Sequence, residues 1–255
     1  MLLTLDVGNS NISVGVWEGE KLRSSARLAT QRARTGDQYA VELEVMLLHR
    51  GIAPTKLAGA AISSVVPELT GALAAAAEQL TGVRPLVLLP GVKTGLALRV
   101  DNPAQVGADI VAASVAAKER FPLPCLIADL GTATKLIAID GDGAFRGCAI
   151  APGVGISLDA LSAQASQLPT ISFDAVGKSV GTNTIESMTS GVVYGTAAML
   201  DGMAERMEKE LGVSFSTLAA TGGLADGILR HCKRAFIYEA NLVLDGLRII
   251  YGKQA

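Results

Sequence analysis

Leu2-Leu3-Thr4-Leu5-Asp6-Val7-Gly8-Asn9-Ser10-Asn11 is the stretch that decides the reading of this chain. Residues 2–7 are an apolar run holding one carboxylate, the pattern of a buried strand that ends in a polar turn. Gly8, Asn9 and Ser10 are turn formers, and residues 11–17 lead away as a second strand. A tight turn between two strands points backbone N–H groups at an anion. Glycine lets the anion approach closely. A carboxylate at the strand end suits Mg²⁺, which keeps several waters and bridges phosphates. Taken singly, Asp-x-Gly after a strand is an ordinary turn.

The pattern returns in the second half. Ile127-Ala128-Asp129-Leu130-Gly131-Thr132-Ala133-Thr134 again runs strand, Asp-x-Gly, small hydroxyl residues, strand. A repeat at half-chain scale is too long for a solenoid and implies two similar domains. We place them at residues 1–120 and 121–255, with Pro122 and Pro124 at the boundary. Around the two turns, strands are expected at 22–29, 57–65, 86–89, 136–139 and 144–150. Helices are expected at 39–50, closed by Gly51, and at 67–80, closed by Gly82. A third helix is expected to open at Asn102-Pro103 and run to about Lys118. Further on, residues 216–220 read as a strand entering Thr221-Gly222-Gly223-Leu224-Ala225, a turn whose backbone can lie flat against a planar ligand.

Composition narrows the class. Apolar residues make up 49% of 255 residues, enough for a sizeable α/β core. The net charge of -2 and the lack of a basic run argue against a nucleic-acid partner. Cys125, Cys148 and Cys232 form no C-x-x-C pair, so they are read as buried small apolar residues in a reducing compartment. His49 and His231 are isolated and read as structural. No charged segment followed by an apolar stretch opens the chain, and no uncharged apolar run reaches about 18 residues. A cytoplasmic protein without membrane contact is expected.

With these motifs in place, the chain resembles the type III pantothenate kinases, of the superfold shared by acetate kinase, sugar kinases, heat-shock 70 proteins and actin. The resemblance rests on Asp6 to Ser10, Arg34-Thr35-Gly36-Asp37, Asp101-Asn102-Pro103 and Val106-Gly107-Ala108-Asp109. It continues through Asp129 to Thr134, Ala149-Ile150-Ala151-Pro152-Gly153, Asn183 to Met188 with Ser190-Gly191, and Thr221 to Leu224. It implies an α/β fold of duplicated actin-like (ribonuclease H-like) ATPase domains with a cleft between them. It also implies a homodimer that transfers the γ-phosphate of ATP to pantothenate. Under it, Asp6, Val7, Gly8, Asn9, Ser10, Asn11, Ile12 and Ser13 wrap the ATP phosphates, and Asp6 lies near Mg²⁺. Thr132 is an ATP contact, and Gly222 and Gly223 form the adenosine-side turn. Asp129 is a ligand of a monovalent cation, K⁺ or NH₄⁺. Asp109 is the general base. Val100, Gly107, Ala108, Asp109, Ile110 and Thr184 stand at the substrate positions.

The sequence departs from the family pattern in four places. Ile110 stands where the pattern has Arg, Val100 where it has Tyr, Lys135 where it has Thr, and Ile137 where it has Asp. An Arg supplies a fixed cation and up to five donors, which Ile lacks. Lys135 is expected to restore positive charge near the phosphates. Asp37 and Arg34 are expected to pair near a helix start, and Thr184 could serve as a helix N-cap. Three readings stay open at this point: a pantothenate kinase, a kinase of another small alcohol, and a non-catalytic nucleotide-binding regulator.

Overall fold

The hairpin around Gly8 forms as expected. β1 (Leu2–Val7) pairs antiparallel with β2 (Asn11–Glu18) and sets Asp6 opposite Ser13. β2 continues the meander into β3 (Lys21–Ala29). α1 (Gly36–His49) then carries the chain over the sheet, started by a capping box in which Thr35 and Gln38 bond each other's backbone N–H. β4 (Gly59–Ser64) lies parallel to β1, so a crossover is obligatory. α2 (Pro67–Thr81) opens on Pro67 and closes on Gly82 in the left-handed conformation, φ 71°. It leads to β5 (Leu86–Val87), parallel to β4. Leu3, Leu5 and Val7 of β1 meet Tyr39, Leu43 and Leu47 of α1 and Leu69 and Leu73 of α2 in one core cluster.

The helix expected from Asn102 is divided. Pro103–Gln105 is a single 3₁₀ turn, and α3 (Ala108–Arg120) starts after Gly107. α3 is buried from Asp109 through Ala117, as an apolar helix covered on all sides must be. Then the second meander begins with β6 (Cys125–Leu130), β7 (Ala133–Ile139) and β8 (Phe145–Pro152). α4 (Val154–Gln164) and the 28-residue α5 (Thr184–Leu211) precede β9 (Thr217–Thr221), which lies parallel to β6. α6 (Ala225–Leu229) joins β9 to β10 (Ile237–Tyr238). Finally α7 (Leu242–Gly252) packs on β1, β2 and β4. Gly246 permits this, because a Cβ there would lie 1.9 Å from the Ala112 carbonyl oxygen of α3.

The computed structural model describes residues 1–164 and 177–254. Its two sheets have the orders β3-β2-β1-β4-β5 and β10-β9-β6-β7-β8. Read from the meander outward, these are one topology: three antiparallel strands, then two parallel crossovers. Contacts divide the chain into one unit of Met1–Leu96, Asp101–Glu119 and Asn241–Ala255, and another of Ala97–Val100 and Arg120–Ala240. The seam at Glu119 and Arg120 lies beside the expected boundary, but the division is not a single cut. Residues 241–255 return to the first unit because α7 buries Leu242, Leu244, Leu247 and Ile250 there. Residues 97–100 join the second because Phe145 N–H donates to the Ala97 carbonyl (2.9 Å) and Arg99 N–H to that of Phe145 (2.9 Å). Arg99 also reaches Asp140 at 3.0 Å.

Candidate active site

In the first unit, Asp6 stands near the end of β1 between Ser13 of β2 and Ser63 of β4. The turn after it is closed by Gly8 N–H donating to the Asn11 carbonyl at 3.0 Å. Asn9, Ser10 and Asn11 are exposed. Val7 and Ile12 are fully buried, so only their backbone can meet a ligand. Two residues missed in the sequence brace this turn. Thr30 donates its hydroxyl to the Gly8 carbonyl (2.7 Å) and its N–H to that of Ser10 (3.0 Å). Arg32 donates to Asn9 Oδ1 at 2.9 Å. Their signal, polar residues just past an edge strand, has no local signature.

Asp109 lies in the first turn of α3 and is 9% exposed. Its Oδ1 accepts from the Ile110 N–H at 2.8 Å. Gly107 makes the room, since a Cβ there would come within 2.6 Å of Asp109 Oδ1. Ile110 is packed at 7% exposure and offers no charge. Near the start of α1, Arg34 pairs with Glu42 and lies over the Tyr39 ring at 5.8 Å. Arg34 therefore binds Glu42, one helical turn in, where Asp37 was expected as its partner.

In the second unit, β6 and β7 repeat the first turn. Gly131 N–H donates to the Ala133 carbonyl at 3.2 Å. Thr132 is exposed, and Thr134 is buried with a hydroxyl that has no hydrogen-bond partner among the described residues. Gly153 seats α4 against this loop: its N–H donates to the Thr132 carbonyl at 3.1 Å, and a Cβ would lie 2.2 Å from that oxygen. Asp129 lies opposite Lys135 in register, and Lys135 Nζ is 2.6 Å from Asp129 Oδ2. Ile137 lies two residues on, fully buried, paired with Ile127 and Cys148. The position is core, where a lone carboxylate would be costly.

Gly222, at φ 99°, ends β9 with its α-carbon pressed on β6; a Cβ would lie 2.4 Å from the Leu130 carbonyl oxygen. Tyr238 donates its hydroxyl to the Gly222 carbonyl at 3.1 Å and is 40% exposed. Gly223 is exposed. Val100 is half-buried beside Arg99. Thr184 is the exposed first residue of α5, and the cap is Asn183, whose side chain accepts from Glu186 N–H at 2.9 Å. Hydrogen bonds from Thr182 hold the Glu186 carboxyl below the usual range. Cys125 is buried and Cys232 half-buried, and burial pushes both thiols up to about 12. Cys148 departs from expectation: it is exposed, on β8, the edge strand of its sheet. His231 packs edge-on to Tyr194 with centroids 5.0 Å apart.

A repeated strand–turn hairpin on two sheets of one topology is the arrangement of the actin-like ATPase class. Solved structures agree on the fold. The chain matches a Baf family protein of Campylobacter jejuni with TM-score 0.62 at 19% identity, covering 99% of this chain and 98% of that one. It matches the activator of 2-hydroxyisocaproyl-CoA dehydratase from Clostridium difficile with TM-score 0.54 at 16% identity, covering 99% and 96%. Within that class the family is specific. The family model for type III pantothenate kinase matches residues 2–206. Over 253 residues the chain is 42% identical to the type III pantothenate kinase of Myxococcus xanthus, covering 99% of this chain and 98% of that protein. It is 38% identical to that of Listeria monocytogenes, covering 98% and 96%. The chain belongs to the type III pantothenate kinase family. A kinase of this family uses ATP with a divalent metal and a small-molecule acceptor. No helix among the described residues is long and apolar enough to cross a membrane.

Proposed function

We propose that this chain transfers the γ-phosphate of ATP to the primary hydroxyl of pantothenate, giving 4′-phosphopantothenate, the first step of coenzyme A synthesis. The observation that carries the reading is Asp109, a carboxylate buried on the first turn of α3 with a glycine two residues earlier leaving it space. In this reading Asp109 accepts the hydroxyl proton as the phosphoryl group arrives. The demand on it is modest, because phosphoryl transfer depends mainly on positioning and charge neutralisation. Residues 6–13 wrap the phosphate oxygens, with Thr132 adding a hydroxyl. Gly222 and Gly223 lie against the adenosine. Val100, Gly107, Ala108, Ile110 and Thr184 are assigned to the pantothenate side.

The described residues contain no cluster of three or more His, Cys, Asp or Glu that could cage a metal. Mg²⁺ arrives on nucleotide phosphates, keeps its waters and needs one or two carboxylates. Asp6 is the residue assigned to hold it, and the ion would neutralise phosphate charge. We read the protein further as a cytoplasmic homodimer that binds no nucleic acid.

The test is ADP formation with pantothenate and with a panel of short alcohols, for the native protein and Asp109→Asn. Turnover with pantothenate that falls roughly 10²-fold or more in Asp109→Asn, with ATP affinity retained, is the expected result. Turnover with a different alcohol alone, or nucleotide binding without turnover, overturns it.

A further inference from the structure

Asp129 is where the resemblance to the family places a monovalent cation, and the residues around it do not fit one. β6 and β7 pair antiparallel with Asp129 directly opposite Lys135, so the two side chains project from the same face as cross-strand neighbours. Lys135 Nζ sits 2.6 Å from Asp129 Oδ2, at charge-assisted hydrogen-bond distance. Both side chains are largely shielded, 16% and 13% exposed. A second monovalent cation on this carboxylate would face a like charge at contact range.

We propose that the Lys135 ammonium is a tethered replacement for the free monovalent cation, so that this enzyme turns over without added K⁺ or NH₄⁺. The chemistry matches: a lysine head group is a primary ammonium with three donors, close kin to NH₄⁺. Its stem fixes the charge to β7, one residue beyond Thr134 and three beyond Thr132 in the phosphate turn. The tether removes dissociation, so positive charge stays beside the turn at any salt composition. The inference rests on the kinase reading above.

The experiment compares native protein with Lys135→Thr, the residue of the family pattern, and with Lys135→Met. Phosphotransfer to pantothenate is measured with Mg²⁺ in tetramethylammonium buffer, with and without K⁺ or NH₄⁺. Thermal unfolding is followed in the same buffers. Native turnover is expected to change less than about twofold with K⁺, while Lys135→Thr falls roughly 10²-fold without it and recovers when K⁺ or NH₄⁺ is added. K⁺ is expected to raise the unfolding midpoint of Lys135→Thr and not of the native protein. Native turnover that collapses without K⁺, or a native midpoint raised specifically by K⁺, overturns the proposal. A native protein inactive on pantothenate in every buffer counts against the kinase reading instead, and the unfolding midpoints then decide this one.

Discussion

Asp6 and Asp129 occupy the same register position in two sheets of the same topology, and they face different partners. Asp6 lies opposite Ser13, whereas Asp129 lies opposite Lys135 and is bonded to it. Duplication supplied two equivalent carboxylates, and the residue across the hairpin differs between them. The two positions should therefore respond differently to one substitution. Asp129→Asn removes the carboxylate bonded to the shielded Lys135 ammonium, which costs about 3 kcal/mol of stability. Asp6→Asn removes the carboxylate assigned to Mg²⁺ and is expected to lower kcat. Urea denaturation and steady-state kinetics on both variants check the contrast.

Gly107→Ala tests whether Asp109 acts by its position. The new methyl group would come within 2.6 Å of Asp109 Oδ1, the mobile end of a side chain. The carboxylate moves while the helix stays, so the fold should survive. A displaced catalytic group typically costs about 10²-fold in rate. We expect kcat to fall by that order, KM for ATP to hold, and the unfolding midpoint to shift by no more than about 4 °C. A variant that keeps full kcat would detach Asp109 from the chemistry.

The sequence revealed the parts of the site that are local. The two Asp-x-Gly turns, their flanking strands and the Gly222 turn all carry their own signals, although β7 begins at Ala133, three residues before the strand expected at 136–139. What escaped depends on distant contacts. Thr30 and Arg32 brace the first turn from the far end of β3, a relation fixed by strand pairing and not by spacing. α7 returns to the first sheet because Gly246 can touch Ala112, which no window around either residue shows. The 28-residue α5 was unread because Gly191, Gly195 and Gly202 weaken its helical signal, while its Asn183 cap and Gly212 stop lie far apart. Lys135 was expected to bring charge to the phosphate side. Its bond to Asp129 became visible only with the β6–β7 register.

Acid should strike the second unit through Glu208. Its carboxylate takes two bonds from Arg234, both 2.8 Å, and one from Phe215 N–H at 2.8 Å. Arg234 holds the Glu208 carboxyl below its ordinary value, against the opposing effect of burial. For Asp140, burial pulls upward, but the Ala144 N–H, Arg99, the Asp142 N–H and Arg146 outweigh it and hold that carboxyl down too. In both, the unfolded chain binds protons more readily than the folded one. Their stabilisation is therefore complete above the unfolded values, about pH 4, and is lost as pH falls through the lower folded values. Arg234→Met should cost about 2 kcal/mol at neutral pH and flatten the loss of stability on acidification. Urea midpoints between neutral pH and pH 3 measure both effects.

Gly222→Ala tests the adenosine side. Position 222 combines φ 99°, which L side chains rarely adopt, with a Cβ that would lie 2.4 Å from the Leu130 carbonyl oxygen and 2.8 Å from its nitrogen. Those neighbours are backbone of β6, so the turn must shift and cannot merely rotate a side chain. A strained conformation of this kind costs about 1–3 kcal/mol, and the shift carries Gly223 and the Tyr238 hydrogen bond with it. Leu130 leads directly into Gly131 and Thr132, so the same displacement reaches the turn between β6 and β7. KM for ATP should rise about tenfold or more. Calorimetric titration with a non-hydrolysable ATP analogue separates the outcomes. Native affinity in Gly222→Ala would remove this turn from the nucleotide site.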